Sequence, residues 1–176
     1  MNKLGFVHIY TGDGKGKTTA AVGLACRALG HGLRVLYVHY HKNPEKYGYT
    51  EIASLRKLGA DILAFAKDHP FCEAGINLDE LKTQISNSFN EINSILKNKN
   101  YDLLIMDEVL ICVRDSFLDE KILLDFVKNK PPSLELVLTG RGATQNLMDL
   151  SDYVNFIKKI KHPYDQGAKG RIGIEF

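Results

Sequence analysis

Apolar residues along this chain come in two arrangements. Short runs at LGFVHIY (4–10), RVLYVHY (34–40), ADILAF (60–65), YDLLIMD (101–107) and LELVLTG (134–140) are apolar almost throughout. Longer stretches at 17–30, about 49–59, 78–98 and 119–130 instead space their apolar residues three and four apart. The continuous runs predict strands covered on both faces, and the wider spacing predicts amphipathic helices. In 78–98, Leu78, Leu81, Ile85, Phe89, Ile92 and Leu96 fall on one stripe. Gly30 and Gly32 close the first helix, and Pro131-Pro132 stop the fourth. Strands alternating with helices imply right-handed crossovers, hence one α/β domain over 1–176 with a doubly wound, mostly parallel sheet and helices on both faces.

The turn between the first strand and first helix reads TGDGKGKTTAA (11–21). It matches G-x-x-x-x-G-K-[ST] in its last three places, Gly16, Lys17 and Thr18, but starts on Thr11 instead of glycine. Strand, glycine-rich turn and helix N-terminus together make an anion cradle. Gly12, Asp13, Gly14, Lys15, Gly16, Lys17, Thr18 and Thr19 are its candidate nucleotide contacts, with the charge on Lys17 and a metal-binding hydroxyl on Thr18. Two roles stay open for Lys15, a contact to a terminal phosphate and an exposed loop lysine. The phosphate loop makes the sheet one of P-loop NTPase type.

Two further strands end in chemistry. YDLLIMDE puts Asp107 and Glu108 at a strand end, where a carboxylate holds Mg²⁺ directly or through water. Asp107 is the metal candidate with Thr18; Glu108 is a candidate for orienting water or touching substrate, and both could instead only flank the sheet edge. LTGRG places Thr139 and Arg141 at the same carboxyl edge, where Arg141 is either a fork for phosphate oxygens or a surface arginine.

Composition changes this picture little. With 44% hydrophobic and 25% charged residues and a formal charge of +2, nothing argues for a nucleic-acid partner or a membrane. No apolar stretch approaches the ~20 residues of a membrane span. Cys26, Cys72 and Cys112 are odd in number and far apart, which predicts buried free thiols in a reducing cytoplasm. His39 and His41, two apart on one strand face, are a partial metal site, lining of a pocket mouth, or packing at a strand end.

GDGKGKTTAA, ACRALGHGLRV, MDE, VLTGRGA and the terminal KHPYDQG…GIEF together resemble the P-loop ATP:corrinoid adenosyltransferases. The resemblance covers most of the chain. It implies transfer of the 5′-deoxyadenosyl group of ATP to the Co(I) of a reduced corrinoid, with triphosphate released, in adenosylcobalamin biosynthesis or salvage. It also implies Mg²⁺ (or Mn²⁺) near Thr18 and Asp107, polyphosphate contacts from Gly14 to Thr19, and an active site of Lys17, Thr18, Asp107, Glu108 and Arg141. Loss of the corrinoid's lower ligand, an electron donor for Co(II) and a homodimer complete what it implies. The chain departs from the pattern in four places. HYHKN (39–43) replaces Q-F-x-K-G, although Glu51 still fits a family glutamate; no tryptophan stands near HPFCEA; Leu110 replaces an asparagine; and GRIG puts Arg171 at a neutral site. Phe65, Phe71, Tyr40, Tyr47 and Tyr49 are candidates either for a surface against the macrocycle or for core and loop packing, and Lys161, His162 and Tyr164 either for substrate neighbours or for a capping strand and turn. An ATPase or small-molecule kinase, and a carrier that binds ATP and corrinoid without turnover, are the competing readings.

Overall fold

A computed structural model describes residues 5–70, 73 and 75–175. Its elements are β1 (Val7–Thr11), α1 (Lys17–Gly30), β2 (Val35–Tyr40), α2 (Pro44–Tyr47), α3 (Thr50–Lys57), β3 (Asp61–Phe65), α4 (Leu78–Asn98), β4 (Leu103–Asp107), α5 (Val109–Arg114), α6 (Glu120–Asn129), β5 (Glu135–Thr139), α7 (Gln145–Asp149) and β6 (Tyr153–Phe156). The strands form one sheet in the order β3-β2-β4-β5-β1-β6, and every pairing is parallel.

Strand side chains alternate between two cores, which explains why the runs carry no polar face. Leu36, Val38, Leu104, Met106, Leu136 and Leu138 pack on one side with Ile85, Phe89 and Ile92 of α4 and Leu123 and Phe126 of α6. Val35, Tyr37, Leu103, Ile105 and Val137 pack on the other side with Ala21 and Ala25 of α1 and Leu55 of α3. Each large apolar side chain so buried contributes about 1.5–3 kcal/mol. Asn77 caps α4 by accepting hydrogen bonds from the amides of Asp79 and Glu80.

All five expected strands form, and the four expected helices are α1, α3, α4 and α6. The sequence pattern missed β6, whose residues are all exposed and therefore carry no burial signal. It also missed α2, α5 and α7, which are too short to show a period. Three expectations need correction. Leu78 lies at the start of α4 and is exposed, because the stripe meets the sheet only from Leu81 onward. Cys26 is exposed on α1, whereas Cys112 is buried as expected. Tyr40 is fully buried, its hydroxyl 2.9 Å from Ser88 Oγ, so it packs the core and offers no surface to a macrocycle. Phe71 and Cys72 lie outside the described residues.

The strand order matters for the site. β5 lies between β1 and β4, so the turn after β1, Thr139 at the end of β5 and Asp107 at the end of β4 meet at the carboxyl edge.

Candidate active site

The phosphate loop is shaped by two glycines. Gly16 precedes α1 at φ 126°, a backbone position that disfavours any side chain. No side chain caps α1, and its first turn holds no acid, so the helix presents its positive end to a ligand. At Gly14, a Cβ would stand 2.8 Å from both the carbonyl oxygen and Cγ2 of Ile157, too close for any other residue. Its amide donates to that carbonyl at 2.8 Å, and the Ile157 amide donates to Thr11 O at 2.8 Å. The segment following β6 thus backs the loop, and Thr11, which replaces the usual glycine, supplies a backbone carbonyl to it.

Lys17 is 8% exposed, and its Nζ donates to Gly14 O at 2.7 Å across the loop. Burial, helped by the charge of Arg141, holds this ammonium below the usual lysine range, against the pull of Glu108, Asp13 and Asp107. Lys15 instead donates to Ile174 O at 3.2 Å and so meets the C-terminal segment. Arg141 stands at the mouth, half exposed, with its Nε 3.7 Å from Asp13 Oδ1.

Asp107 is fully buried and saturated. Its Oδ1 accepts from Thr18 Oγ1 at 3.0 Å and Thr139 Oγ1 at 2.6 Å. Its Oδ2 accepts from Tyr37 Oη at 2.8 Å and pairs with Lys42 Nζ at 2.6 Å. A carboxylate has about four lone-pair sites, and all are used. Burial works against the charge, but Lys42 and these hydrogen bonds outweigh it and hold Asp107 below the usual carboxylate range.

Glu108 is the opposite case. Its backbone is left-handed at φ 65°, with the amide donating to Thr139 Oγ1 at 3.0 Å. That turn swings the side chain over the phosphate loop, where it lines both neighbouring cavities. Its Oε2 is buried without a hydrogen-bond partner among the described residues. Burial and the charge of Asp107 push its carboxyl above the usual range, against Lys42 and Lys17. An orphaned carboxylate oxygen on a residue that lines the same two cavities as Thr18 leaves lone pairs for a divalent cation, which the saturated Asp107 does not.

Two cavities meet here. One of 270 Å³ is lined by the loop from Asp13 to Thr19 with Glu108, Arg141, His162 and Glu175. The other, of 550 Å³, continues past Thr18, Thr19 and Glu108 to Lys42, Tyr49, Glu51, His41, His69 and Ile174. A larger groove of 760 Å³ between β3 and α4 includes Phe65 but no phosphate-loop residue. Thus Tyr49, His162 and the C-terminal segment join the site, whereas Phe65 lies apart from it. Tyr164 lines a fourth cavity with Asp13, Arg141 and His162. Arg171 is held in a two-bond fork by Glu175, Nη2 to Oε1 at 2.9 Å and Nε to Oε2 at 3.1 Å. Leu110 is buried and lies where a Cβ on Gly140 would meet it at 3.0 Å, so the apolar side chain packs under the LTGRG turn.

Sequence reasoning missed three members of this site. Lys42 was visible in the lysine that HYHKN shares with Q-F-x-K-G; Tyr37 carried no signal because it reads as one more position of an apolar strand, and Ile157 none because it follows an exposed strand and acts through its backbone carbonyl.

His39 and His41 do not share a face. His39 is buried in β2, its Nδ1 without a partner among the described residues. His41 lies past the strand at φ 55°, with Nε2 3.3 Å from Cys112 Sγ and its ring 4.7 Å from that of His69. Burial, with Lys42 adding for His39 and His69 for His41, lowers both to about 4. The unfolded chain takes up these protons near pH ~6.5 and the folded one only near 4, so stability is full above ~6.5 and falls as the pH drops between the two values. At pH 5 each histidine is expected to cost about 2 kcal/mol relative to pH 7.5. Urea unfolding at both pH values measures this, and His39→Leu should remove about half of the difference; an unchanged difference in the variant would refute it.

Strand order, phosphate loop and buried strand-end aspartate define a P-loop nucleotide-binding α/β protein. A solved KaiC-like protein from Pyrococcus horikoshii OT3 shares this fold, with a TM-score of 0.61 at 17% identity over 90% of this chain and 75% of that one. The family model for ATP:corrinoid adenosyltransferase BtuR/CobO/CobP matches residues 3–176, and the chain belongs to that family. The corrinoid adenosyltransferase of Escherichia coli (strain K12) is 27% identical over 176 residues, covering 100% of this chain and 88% of its own length. Corrinoid adenosyltransferase CobA of Salmonella typhimurium is 27% identical over 172 residues, covering 98% and 86%.

Proposed function

We propose that the chain transfers the 5′-deoxyadenosyl group of ATP to the Co(I) centre of a reduced corrinoid and releases inorganic triphosphate. Cobalt(I) supplies the electron pair for the new Co–C5′ bond. The C5′–O bond breaks, its pair leaves with the triphosphate, and cobalt becomes Co(III). Such a nucleophile needs no protein base, so the chain's work is positioning and stabilising the leaving group.

The observation that carries this reading is the join between the two cavities. The loop from Asp13 to Thr19 lines the smaller one, sized for a polyphosphate, and Thr18, Thr19 and Glu108 also line the larger one beside it. Lys17, the open N-terminus of α1 and Arg141 take up the triphosphate charge. Thr18 and Glu108 would hold Mg²⁺, or Mn²⁺ in its place, which would neutralise charge on the triphosphate; Asp107 accepts the Thr18 hydroxyl proton and so orients that hydroxyl from behind. The larger cavity then admits the adenosine side of ATP and the edge of the corrinoid. An external electron donor reduces Co(II), and the family resemblance supports a homodimer acting in the cytoplasm. Among the described residues no helix is long and apolar enough to cross a membrane.

Supplying ATP with several chemically reduced corrinoids, including ones without a lower ligand, tests the reading. The expected products are triphosphate and a light-sensitive cobalt–carbon bond. ADP and phosphate as the only products would instead identify an ATPase or kinase, and tight binding of both substrates without turnover over many hours a carrier.

A further inference from the structure

Lys42 sits where a metal ion would be expected to sit. It is 6% exposed, and its Nζ lies 2.6 Å from Asp107 Oδ2, 3.0 Å from Glu51 Oε1 and 3.5 Å from Thr18 Oγ1. An ammonium has three donors, and all three point at oxygens that a hard cation would also choose. The ring of Tyr49 covers it, with the centroid 5.2 Å away. The backbone dictates this placement. β2 pairs with β4 so that His39 stands opposite Asp107, and the chain then turns through the left-handed His41. Lys42, the next residue, reaches back over the carboxylate. Burial works against its charge, but Asp107 and Glu51 hold it above the usual lysine range.

We propose that Lys42 is a resident counter-ion that keeps free divalent cations out of the acidic cluster, so that metal enters only with the triphosphate. This rests on the assignment of the metal to Thr18 and Glu108. Three carboxylates, Asp107, Glu108 and Glu51, gather beside the loop, and Lys42 and Lys17 stand among them. With the Lys42 ammonium in place, a bare ion finds Asp107 saturated and gains one free carboxylate against a nearby positive charge. A triphosphate brings the missing negative charge and oxygen ligands of its own. Without the ammonium, Asp107 Oδ2 and Glu51 Oε1 lose their cation and join Glu108 Oε2 in a site that a bare ion fits. Lys42 therefore acts as a positioning residue through Asp107.

Mn²⁺ binding to the nucleotide-free protein, read by electron paramagnetic resonance of the free ion, tests this in wild type, Lys42→Met, Lys42→Gln and Lys42→Arg. Each variant's fold is checked by thermal melting. The expected result is weak binding in wild type and Lys42→Arg, and at least tenfold tighter binding in Lys42→Met and Lys42→Gln. The glutamine retains a donor toward Asp107, so it supports the comparison if the methionine variant does not fold. Water-proton relaxation with ATP added provides a separate arm, in which wild type should form a protein-bound Mn²⁺–ATP complex. Its failure to do so would remove the metal assignment and this proposal with it. If that complex forms but the uncharged variants bind free Mn²⁺ no more tightly than wild type, Lys42 is only a structural clip and the proposal is overturned.

Discussion

Lys17→Ala is expected to lower ATP affinity at least 100-fold while leaving the fold intact. The ammonium sits inside the loop and, without nucleotide, is paired with a backbone carbonyl at 2.7 Å, so its charge is held ready for an anion. Charge-assisted hydrogen bonds contribute about 1.5–3 kcal/mol each, and two of them to the triphosphate account for a loss of about 10²–10⁴ in binding. Stability should move the other way. Burial already disfavours this charge, and alanine removes a desolvated cation, so the melting temperature should stay level or rise slightly. Lys17→Arg should not rescue binding, because a planar guanidinium does not fit the space of a point charge inside the loop. Calorimetric titration with ATP and initial rates with reduced corrinoid measure the effect. A variant with near-normal kcat/KM would take the cradle out of the mechanism.

Lys17 was legible in the sequence because its role depends on a contiguous motif: loop, lysine and helix start lie within eleven residues. The sheet was legible for a similar reason. Strands covered on both faces must be apolar at every position, and Val35 to Val38 or Leu103 to Met106 show that directly. β6 was hidden because its side chains are exposed, and only backbone pairing to β1 makes it a strand. Long-range partners were hidden as well. Nothing in the residue types of Lys42 or Tyr37 says that a turn and a strand register bring both to Asp107. The division of labour between Asp107 and Glu108 was beyond sequence for the same reason. The MDE motif alone made Asp107 the metal candidate of the two, yet the left-handed turn at Glu108 sends Asp107 into the core and Glu108 over the loop.

Asp107 should therefore respond differently to two substitutions, one removing its charge and one removing the side chain. Asp107→Ala leaves the Lys42 ammonium buried against Glu51 alone and strands the hydroxyls of Tyr37 and Thr139. Breaking a buried pair costs about 3–5 kcal/mol. At about 2–4 °C per kcal/mol for a domain of this size, the melting temperature should fall by roughly 6–20 °C. Asp107→Asn keeps the shape, and its outcome follows from donor counting. Lys42 can only donate, so the asparagine carbonyl must face Lys42 and Tyr37, and its amide must face Thr18 and Thr139. The Thr18 hydroxyl then accepts from behind instead of donating, and its proton points toward the metal position instead of a lone pair. The melting temperature should fall less than in the alanine variant, because the hydrogen bonds around the side chain are kept although the negative charge opposite Lys42 is lost in both, while Mg²⁺ affinity in the presence of ATP should drop about 10–100-fold, the usual cost of disturbing a group that orients a metal ligand. Melting curves and the Mg²⁺ dependence of turnover separate the two effects. An Asp107→Asn protein with wild-type Mg²⁺ dependence would show that Thr18 is not oriented through this carboxylate, whatever the alanine variant does to stability.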